Sequence, residues 1–451
     1  MDKGLLSVGL DVGTTSTQLV VSRLQVQNCA SGFSVPQLQI TNRQILYRSP
    51  IHFTPLVEGN LVDGNKIRAI VEQEYRNAGI SRCDVDTGAI IITGETSRRE
   101  NARSVLEALA EMAGAFVVAT AGPALESILA AQGAGAVEDS ANTGETIFHM
   151  DIGGGTSNLA LIENGKIVCT DCLNVGGRLI KLTSQGRITY LSPIVREFCP
   201  FSVGDTVTPA QLEPVAEILV QALEMAAGLR EQTPLLTQLR TKELGHLLGC
   251  SVQNAVISFS GGVADCIDQT HDPFAFGDIG PILGACIRQS RLCQGRYRLG
   301  SETIRATVIG AGCHSTQLSG STVFCKNIPL PMQNCPVAIV GETARQEELR
   351  KALADYDRTP VIAWKGAIAS YHQIRTLAKQ LAQLPNPILI ALEQDMAKAL
   401  GQAICLENPE AACLCIDGIR LDDGDYLDIG LPIGPAFPVV IKTLILSQKG
   451  D

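Results

Sequence analysis

Two short glycine-rich segments carry residue types that bind phosphates. They are residues 9–17 (GLDVGTTST) and residues 150–158 (MDIGGGTSN), and each has an aspartate, Asp11 or Asp151, next to an apolar run. Glycine lets the main chain approach a ligand closely, so turns of this kind present backbone N–H groups to phosphate oxygens. The pair of segments predicts a nucleotide clamp.

Elements of the same type flank both segments. Strand-like apolar runs enter and leave each one, at residues 5–10 and 18–22 in the first case and 145–150 and 159–162 in the second. This repetition predicts two lobes with the ligand in a cleft between them. The small, acidic stretch at residues 133–144 marks their boundary, so the first lobe is predicted at 1–137 and the second at 138–297.

A third glycine feature, Ser260-Gly261-Gly262, follows a strand-like run at residues 255–259. Here the backbone can lie flat against an adenine or a ribose. A Gly-Gly pair after a strand is more often a tight turn. Its place after the two aspartate segments nevertheless favours an adenosine-binding role for these three residues.

Composition is typical of a multidomain soluble protein. The 451 residues are 45% hydrophobic and 18% charged, which is enough to bury large cores. The net charge of −10 argues against a nucleic-acid or anionic-membrane surface, because both need clustered Lys and Arg. No apolar run reaches the roughly 18 to 20 residues of a membrane span. Because a strand begins within a few residues of Met1, no signal peptide is expected and the protein is predicted to be cytoplasmic.

The fifteen cysteines are scattered through strand-like and helix-like segments, as small buried residues are in a reducing compartment. The CxxC at residues 169–172 could form half of a zinc or iron–sulfur site, but no second pair has matching spacing. A strand with alternating faces, or a turn, is the simpler interpretation.

The last third of the chain, residues 298–451, alternates strand-like and helix-like segments, which predicts an additional α/β region. The strand-like runs are residues 336–340, 360–364, 387–392 and 412–416. Gly310-Ala311-Gly312 lacks the third glycine and the acidic partner of a dinucleotide fingerprint, so a tight turn is predicted there.

The three glycine motifs, in this order, resemble those of the actin-like ATPase superfamily, which includes actin, the 70-kilodalton heat-shock chaperones and sugar kinases. The resemblance covers roughly residues 5–290. It implies an α/β protein with a two-lobed actin-like (ribonuclease H-like) ATPase fold. It also implies that residues 119–132 and 276–287 are the two connecting helices that hinge the lobes.

The chain departs from the heat-shock chaperones at two positions. Gly122 stands where they carry a glutamate before the proline of the first connecting helix, and Asn158 stands where their second phosphate loop ends in aspartate. Nucleotide binding is therefore predicted more firmly than the hydrolytic group. Glu95, in the segment 93–96 (TGET), is the candidate to position or activate water, with a surface-loop acid as the alternative.

The resemblance makes ATP with Mg²⁺ the expected ligand. Mg²⁺ is a hard ion that keeps most of its waters, so Asp11 and Asp151, on opposite lobes, can hold the hydrated ion. Both are predicted as metal-binding and catalytic residues. Glycine and hydroxyl residues of the two loops complete the predicted nucleotide-binding set: Gly13, Thr14, Thr15, Ser16, Gly153, Gly154, Gly155, Thr156 and Ser157.

Over residues 8–446, the chain resembles the ethanolamine ammonia-lyase reactivating factor family. Three segments that are not general ATPase motifs carry this resemblance: residues 93–102 (TGETSRRENA), 308–320 (VIGAGCHSTQLSG) and 415–419 (CIDGI). It implies a chaperone-like ATPase that releases damaged or inactive cobalamin from its partner, ethanolamine ammonia-lyase, so that intact adenosylcobalamin can bind. The cobalamin would be reached through the lyase. Association with a bacterial microcompartment and assembly into a homo-oligomer stay open.

Three other functions are weighed against this one. A small-metabolite phosphotransferase, similar to sugar or acetate kinases, shares the same loops, but the chain has no sugar-kinase-like substrate loop with a catalytic base. A filament-forming or scaffold protein would use nucleotide only for assembly. A dehydratase activator with an iron–sulfur cluster would need cysteines from each subunit at a dimer interface.

Overall fold

Both glycine-rich segments lie in β-hairpins in the computed structural model, and each hairpin belongs to a larger sheet. Among the helices described, none is both long and apolar enough to cross a membrane. The structure describes residues 4–13, 16–29, 38–57, 61–92, 117–120, 123–241, 252, 254–314, 316–320, 322–341, 347, 349–350, 353, 356, 359–366, 370–421, 425–432 and 436–443.

The first sheet is mixed. The elements of this part are β1 (Gly4–Val12), β2 (Ser16–Asn28), β3 (Leu38–Arg48), β4 (His52–Phe53), β5 (Leu56–Val57), β6 (Leu61–Val62), α1 (Gly64–Ala78), β7 (Thr87–Ile92) and β8 (Val117–Thr120). The strand order is β3-β2-β1-β7-β8. Strand β2 pairs antiparallel with both β1 and β3, and β7 pairs parallel with both β1 and β8. Every residue of β7 is buried, as expected for a central parallel strand covered on both faces.

The second sheet follows the first connecting segment. The elements are α2 (Pro123–Gly133), α3 (Ala136–Thr143), β9 (Ile147–Ile152), β10 (Ser157–Glu163), β11 (Lys166–Leu173), β12 (Ile180–Leu182), β13 (Ile188–Leu191), α4 (Pro209–Ala226), α5 (Pro234–Leu239), β14 (Val256–Ser260), α6 (Asp265–Asp268), α7 (Gly280–Gln289) and β15 (Tyr297–Leu299). The strand order is β11-β10-β9-β14-β15. Strand β10 pairs antiparallel with both β9 and β11, and β14 pairs parallel with both β9 and β15.

The two sheets therefore share one topology. In each, a hairpin and a third antiparallel strand are followed by two parallel strands on the other side of the first strand. A repeated five-strand order with the same directions is what gene duplication of one α/β lobe produces. The predicted two-lobed actin-like fold is confirmed.

Two glycine-containing helices cross at the junction between the lobes. They are α2 and α8 (Ala306–His314). A Cβ atom on Gly133 would lie 1.8 Å from the Ala306 carbonyl oxygen, and one on Gly310 would lie 2.0 Å from the Leu129 carbonyl oxygen. Only glycine permits so close an approach of two backbones. The Gly310–Gly312 segment is thus helical and buried, and the predicted tight turn is wrong.

The second connecting helix also differs from the prediction. Residues 276–287 contain most of α7, but Ile282, Leu283 and Ile287 of that helix are buried in the core of the second lobe. Helix α8 takes the connecting position instead. Its Gly312 carbonyl accepts a hydrogen bond from Ser7 Oγ of the first sheet at 2.5 Å. Although α8 follows residue 298, it lies against the first lobe, and the predicted lobe boundaries stay predictions.

The C-terminal region forms a third sheet. Its elements are β16 (Thr316–Leu318), β17 (Phe324–Lys326), β18 (Met332–Gly341), β19 (Val361–Lys365), α9 (Tyr371–Leu381), β20 (Ile388–Leu392), α10 (Ala397–Glu407), β21 (Cys413–Ile416), β22 (Asp425–Ile429) and β23 (Pro438–Thr443). Strands β18 to β21 are parallel neighbours in chain order. Leu377 of α9 and Leu400 of α10 pack with Ile390 in one core, so the predicted additional α/β region is confirmed.

Candidate functional site

Asp11 and Asp151 occupy equivalent places in the two hairpins. Asp11 is next to the last residue of β1 and faces Gln18 across the hairpin. Asp151 is next to the last residue of β9 and faces Asn158. Each predicted metal-binding carboxylate is therefore paired in register with a side-chain amide.

A cleft of about 710 Å³ brings residues of all three glycine motifs together. Of the predicted set, the residues that line it are Asp11, Gly13, Ser16, Asp151, Gly153, Gly154, Gly155, Thr156, Gly261 and Gly262. Three predicted residues, Thr14, Thr15 and Glu95, lie outside the described residues. The volume and the open loops suit a ligand of nucleotide size.

Two predicted residues do not line the cleft. Ser157 is fully buried, and its hydroxyl donates to the Val175 carbonyl at 2.8 Å. Successive strand residues point to opposite faces, so Ser157 turns away where Asn158 turns in. Ser260 is also fully buried, and its hydroxyl donates to Asp151 Oδ1 at 2.5 Å. Ser157 thus holds the strand next to the loop, and Ser260 orients Asp151. Neither serine lines the cleft, where ligand contacts were expected of both.

Asp151 ends a buried chain of hydrogen-bonded side chains. His149 Nε2 lies 2.9 Å from Ser260 Oγ, and His149 Nδ1 lies 3.1 Å from Ser258 Oγ. The single Ser260 proton goes to Asp151, so His149 Nε2 must donate to Ser260 and Nδ1 must accept from Ser258. Burial lowers the pKa of His149 to about 3, which keeps the ring neutral. These hydrogen bonds fix the orientation of the Asp151 carboxylate.

Burial also acts on Asp151 itself. It raises the pKa of the carboxyl to about 6, although hydrogen bonds from Ser260 and Thr307 oppose the shift. A buried carboxylate without a nearby cation is unstable because the charged form loses its hydration. A positive charge placed in the cleft would therefore stabilise the ionised carboxylate of Asp151.

Metal-dependent nucleotide binding should consequently weaken as the pH falls below about 6. Protonation removes the negative charge with which Asp151 attracts a hydrated metal ion and turns one of its two oxygens into a donor, so the affinity should fall about tenfold per pH unit. The measurement is the dissociation constant of ATP with Mg²⁺ between about pH 5 and pH 8. An affinity that stays constant across that range would contradict this role of Asp151.

The structure adds three residues that sequence reasoning missed. Glu126, in the first turn of α2, lines the cleft, and its Oε2 accepts from Asn158 Nδ2 at 2.9 Å. Gln18 Nε2 donates to the Ile304 carbonyl at 3.3 Å. Arg178 also lines the cleft. In the sequence, an acid in a first helical turn is ordinary, so only its proximity to Asn158 marks Glu126 as a site residue.

The oxygens of the cleft fit a hydrated Mg²⁺ ion. Gln18 Oε1 and Asn158 Oδ1 are buried and have no hydrogen-bond partner among the described residues. Such oxygens, beside the carboxylates of Asp11 and Asp151, can accept from metal-bound waters. Within the same described part of the chain, no three His, Cys, Asp or Glu side chains converge to enclose a metal directly. Water-mediated binding by Asp11 and Asp151 is the arrangement that fits.

The CxxC segment takes the simpler of its two interpretations. Residues 169–172 lie within strand β11, and Cys172 is buried while Cys169 is partly buried. Residues at this spacing on a strand point to opposite faces.

Comparison with known proteins identifies the family of this chain. The family model described as ethanolamine utilisation protein EutA matches residues 3–447. The chain is 39% identical over 466 residues to the ethanolamine ammonia-lyase reactivase EutA of Salmonella typhimurium, with 98% of both chains covered. It is 38% identical over 467 residues to the protein of the same name from Escherichia coli, again with 98% of both chains covered.

Among solved structures, one from the Ppx/GppA family of Aquifex aeolicus is 13% identical, with a TM-score of 0.42 over 68% of this chain and 97% of the other. The full-length family match and the two relatives carry the assignment. The chain belongs to the family of the ethanolamine utilisation protein EutA.

Proposed function

We propose that this chain is a chaperone-like ATPase that reactivates adenosylcobalamin-dependent ethanolamine ammonia-lyase. In this proposal, ATP drives release of damaged or inactive cobalamin from the lyase, so that intact cofactor can bind. The observation that carries the proposal is the match, over 98% of the chain, to relatives named ethanolamine ammonia-lyase reactivase. The lyase is the proposed partner, and the cytoplasm or a microcompartment within it is the proposed location.

The cleft supports ATP with Mg²⁺ as the ligand of this reaction. Bound Mg²⁺ would supply positive charge to the phosphate oxygens. Asp11 and Asp151 would hold its waters from the two lobes, and Gln18 and Asn158 would accept hydrogen bonds from the same shell. The Gly153 N–H donates to the Thr156 carbonyl within the loop at 2.9 Å. Gly154 and Gly155 also line the cleft and carry no side chain, so a phosphate could approach their backbone N–H groups closely. Closure of the lobes around the nucleotide would couple ATP binding and hydrolysis to cobalamin release from the lyase.

We propose Glu126 as the residue that orients the attacking water. It is a cleft-lining carboxylate on the helix that joins the lobes, and Asn158 holds it opposite the Asp151 loop. A carboxylate can accept the water proton while the water oxygen bonds to the terminal phosphorus and ADP leaves. Residue 122, where the chaperones carry their glutamate, is a glycine in this chain.

Replacing Glu126 with glutamine should separate binding from turnover. Glutamine keeps an oxygen for Asn158 but cannot take a proton, so ATP affinity should stay within about threefold while hydrolysis falls about 100-fold or more. Phosphate release and ATP binding are the two measurements. Glu95→Gln is the matched variant. Slow hydrolysis in Glu95→Gln together with normal hydrolysis in Glu126→Gln would transfer the role to Glu95.

The central experiment is recovery of ethanolamine ammonia-lyase that has been blocked with cyanocobalamin. Lyase activity should return when this chain, ATP, Mg²⁺ and adenosylcobalamin are added together, and should not return when ATP is omitted. No recovery under the complete conditions would reject the proposal. A phosphorylated metabolite in place of free phosphate would point to the phosphotransferase alternative instead.

A further inference from the structure

The cleft has an excess of negative charge. Its described lining includes five carboxylates, Asp11, Glu126, Asp151, Asp265 and Asp278, and a single Lys or Arg side chain, Arg178. A nucleotide triphosphate is itself a polyanion. Mg²⁺ can compensate the carboxylates that face it, but the phosphates also need cationic or N–H donors. Arg178 is the only guanidinium that the described lining offers for this purpose.

Arg178 lies against the second phosphate loop. Its backbone N–H donates to the Gly154 carbonyl at 2.6 Å. Its side chain then runs along the loop, because a Cβ atom on Gly154 would lie 3.2 Å from Arg178 Cδ. The side chain is 28% exposed. A phosphate bound to the loop N–H groups would therefore be a neighbour of this guanidinium.

Most of the donor capacity of Arg178 is unused. Nε donates to Asp278 Oδ2 at 3.2 Å, and the terminal nitrogens have no partner among the described residues. An arginine uses its planar, forked N–H groups best when it binds a carboxylate or phosphate with two parallel hydrogen bonds. The Asp278 contact is long and single, which leaves the fork free to take a better acceptor.

Asp278 can release Arg178 without losing every partner. Its Oδ1 accepts from the Gly280 N–H at 2.8 Å, at the start of α7. Burial raises the pKa of Asp278, while the Gly280 hydrogen bond, Arg178 and Lys181 oppose that shift. The carboxyl would keep two of these three stabilising groups after Arg178 has turned away.

We propose that Arg178 binds a phosphate group of the nucleotide, and that it leaves Asp278 to do so when the nucleotide occupies the Gly153–Gly155 loop. This inference rests on the proposed function, since it needs a nucleotide in the cleft. It adds to that function a phosphate-recognition residue outside the three glycine motifs. It also makes the Arg178–Asp278 pair specific to the nucleotide-free protein.

The test is equilibrium binding of ATP, tripolyphosphate and adenosine, by calorimetry, to the full-length protein. Arg178→Gln should weaken binding of ATP and tripolyphosphate about 10- to 100-fold and change adenosine binding less than about twofold. Arg178→Lys should recover part of the loss, because it restores the charge but not the fork. Arg288→Gln is the matched control, because it removes an exposed arginine–aspartate pair from the same lobe outside the cleft.

The outcomes separate this inference from the proposed function. Wild-type protein that binds neither ATP nor tripolyphosphate would overturn both. Wild-type protein that binds ATP, with Arg178→Gln binding it equally well, would overturn only the inference. An equal loss of adenosine and ATP binding would also overturn it, since the effect would then be structural.

A second variant keeps the inference open to refutation if Arg178→Gln does not fold. Asp278→Asn retains the acceptor for Gly280 but removes the charge that holds Arg178. It should tighten ATP binding several-fold and leave adenosine binding unchanged. Weaker ATP binding by a folded Asp278→Asn protein would contradict the exchange.

Discussion

Replacing Asp151 with asparagine should strongly weaken Mg²⁺-dependent ATP binding while making the ligand-free protein harder to unfold. Asparagine can still accept the Ser260 hydrogen bond, so the loop should keep its shape. It lacks the negative charge that attracts a hydrated Mg²⁺ ion. The loss in ATP affinity should reach about 100-fold, and Asp11→Asn should show a comparable loss because that carboxylate faces the cleft from the other lobe.

The stability gain follows from the direction of the pKa shift. The pKa of Asp151 rises from 3.8 to about 6 on folding, so the folded protein holds this proton more tightly than the unfolded chain does. The ionised carboxylate therefore destabilises the fold above about pH 6, and this cost disappears toward pH 4. A shift of this size corresponds to about 3 kcal/mol at most. Asp151→Asn should raise the free energy of unfolding by about 1 to 3 kcal/mol at pH 8.

Urea unfolding of the ligand-free proteins at about pH 4 and pH 8 measures this difference, and calorimetry with ATP and Mg²⁺ measures binding. Asp139→Asn is the matched control, because Asp139 is an exposed acid of the same lobe and does not line the cleft. If Asp151→Asn bound ATP as tightly as the wild type, the metal-binding assignment would fail. A variant less stable than the wild type at pH 8 would contradict the cost assigned to the buried charge.

The second large effect is expected at the crossing of α2 and α8. Replacing Gly310 with alanine would place a methyl group 2.0 Å from the Leu129 carbonyl oxygen, and Gly133→Ala would place one 1.8 Å from the Ala306 carbonyl oxygen. Both obstacles are backbone atoms, so no side-chain rotation relieves them. The helices would have to separate and open the core that Leu129 shares with Ile91 and Ala311. We expect a loss of about 4 kcal/mol or more, or failure to fold.

Soluble yield, thermal midpoint and urea midpoint are the measurements for these glycine variants. Gly295→Ala provides the matched control, since its added methyl group would meet no atom within 4 Å and the residue is exposed. It should change the free energy of unfolding by less than about 1 kcal/mol. Gly310→Ala with wild-type stability would show that the two helices are not in such close contact.

Much of the architecture could be predicted because local patterns of apolar residues and glycines indicate its strands and turns. Apolar runs that end in Asp and Gly occur at Asp11 and at Asp151, and both form hairpins with the expected turn. Strand patterns in the last third were equally clear, because buried parallel strands are almost continuously apolar. Residues 387–392, for example, contain the observed strand Ile388–Leu392.

The errors arose where a local pattern has two meanings. Gly310-Ala311-Gly312 is predicted as a tight turn because it lacks the rest of a dinucleotide fingerprint, but it lies in a helix whose glycines allow close contact with α2 and β1. Helix α7 had the right composition for a connecting helix, yet its apolar residues pack within one lobe. The sequence of each helix alone does not decide where that helix packs. Both outcomes depend on what the helix contacts.

The sequence by itself determined the two hairpins, their order before Ser260, and the aspartate that each places at the end of a strand, because short-range pattern decides strand, turn and spacing. Only the tertiary structure decided which side chains meet in the cleft. Glu126 reaches Asn158 from another element, Arg178 reaches Asp278, and Ser157 turns into the core. These contacts join residues far apart in the chain, and their partners are set by how the sheets and helices pack.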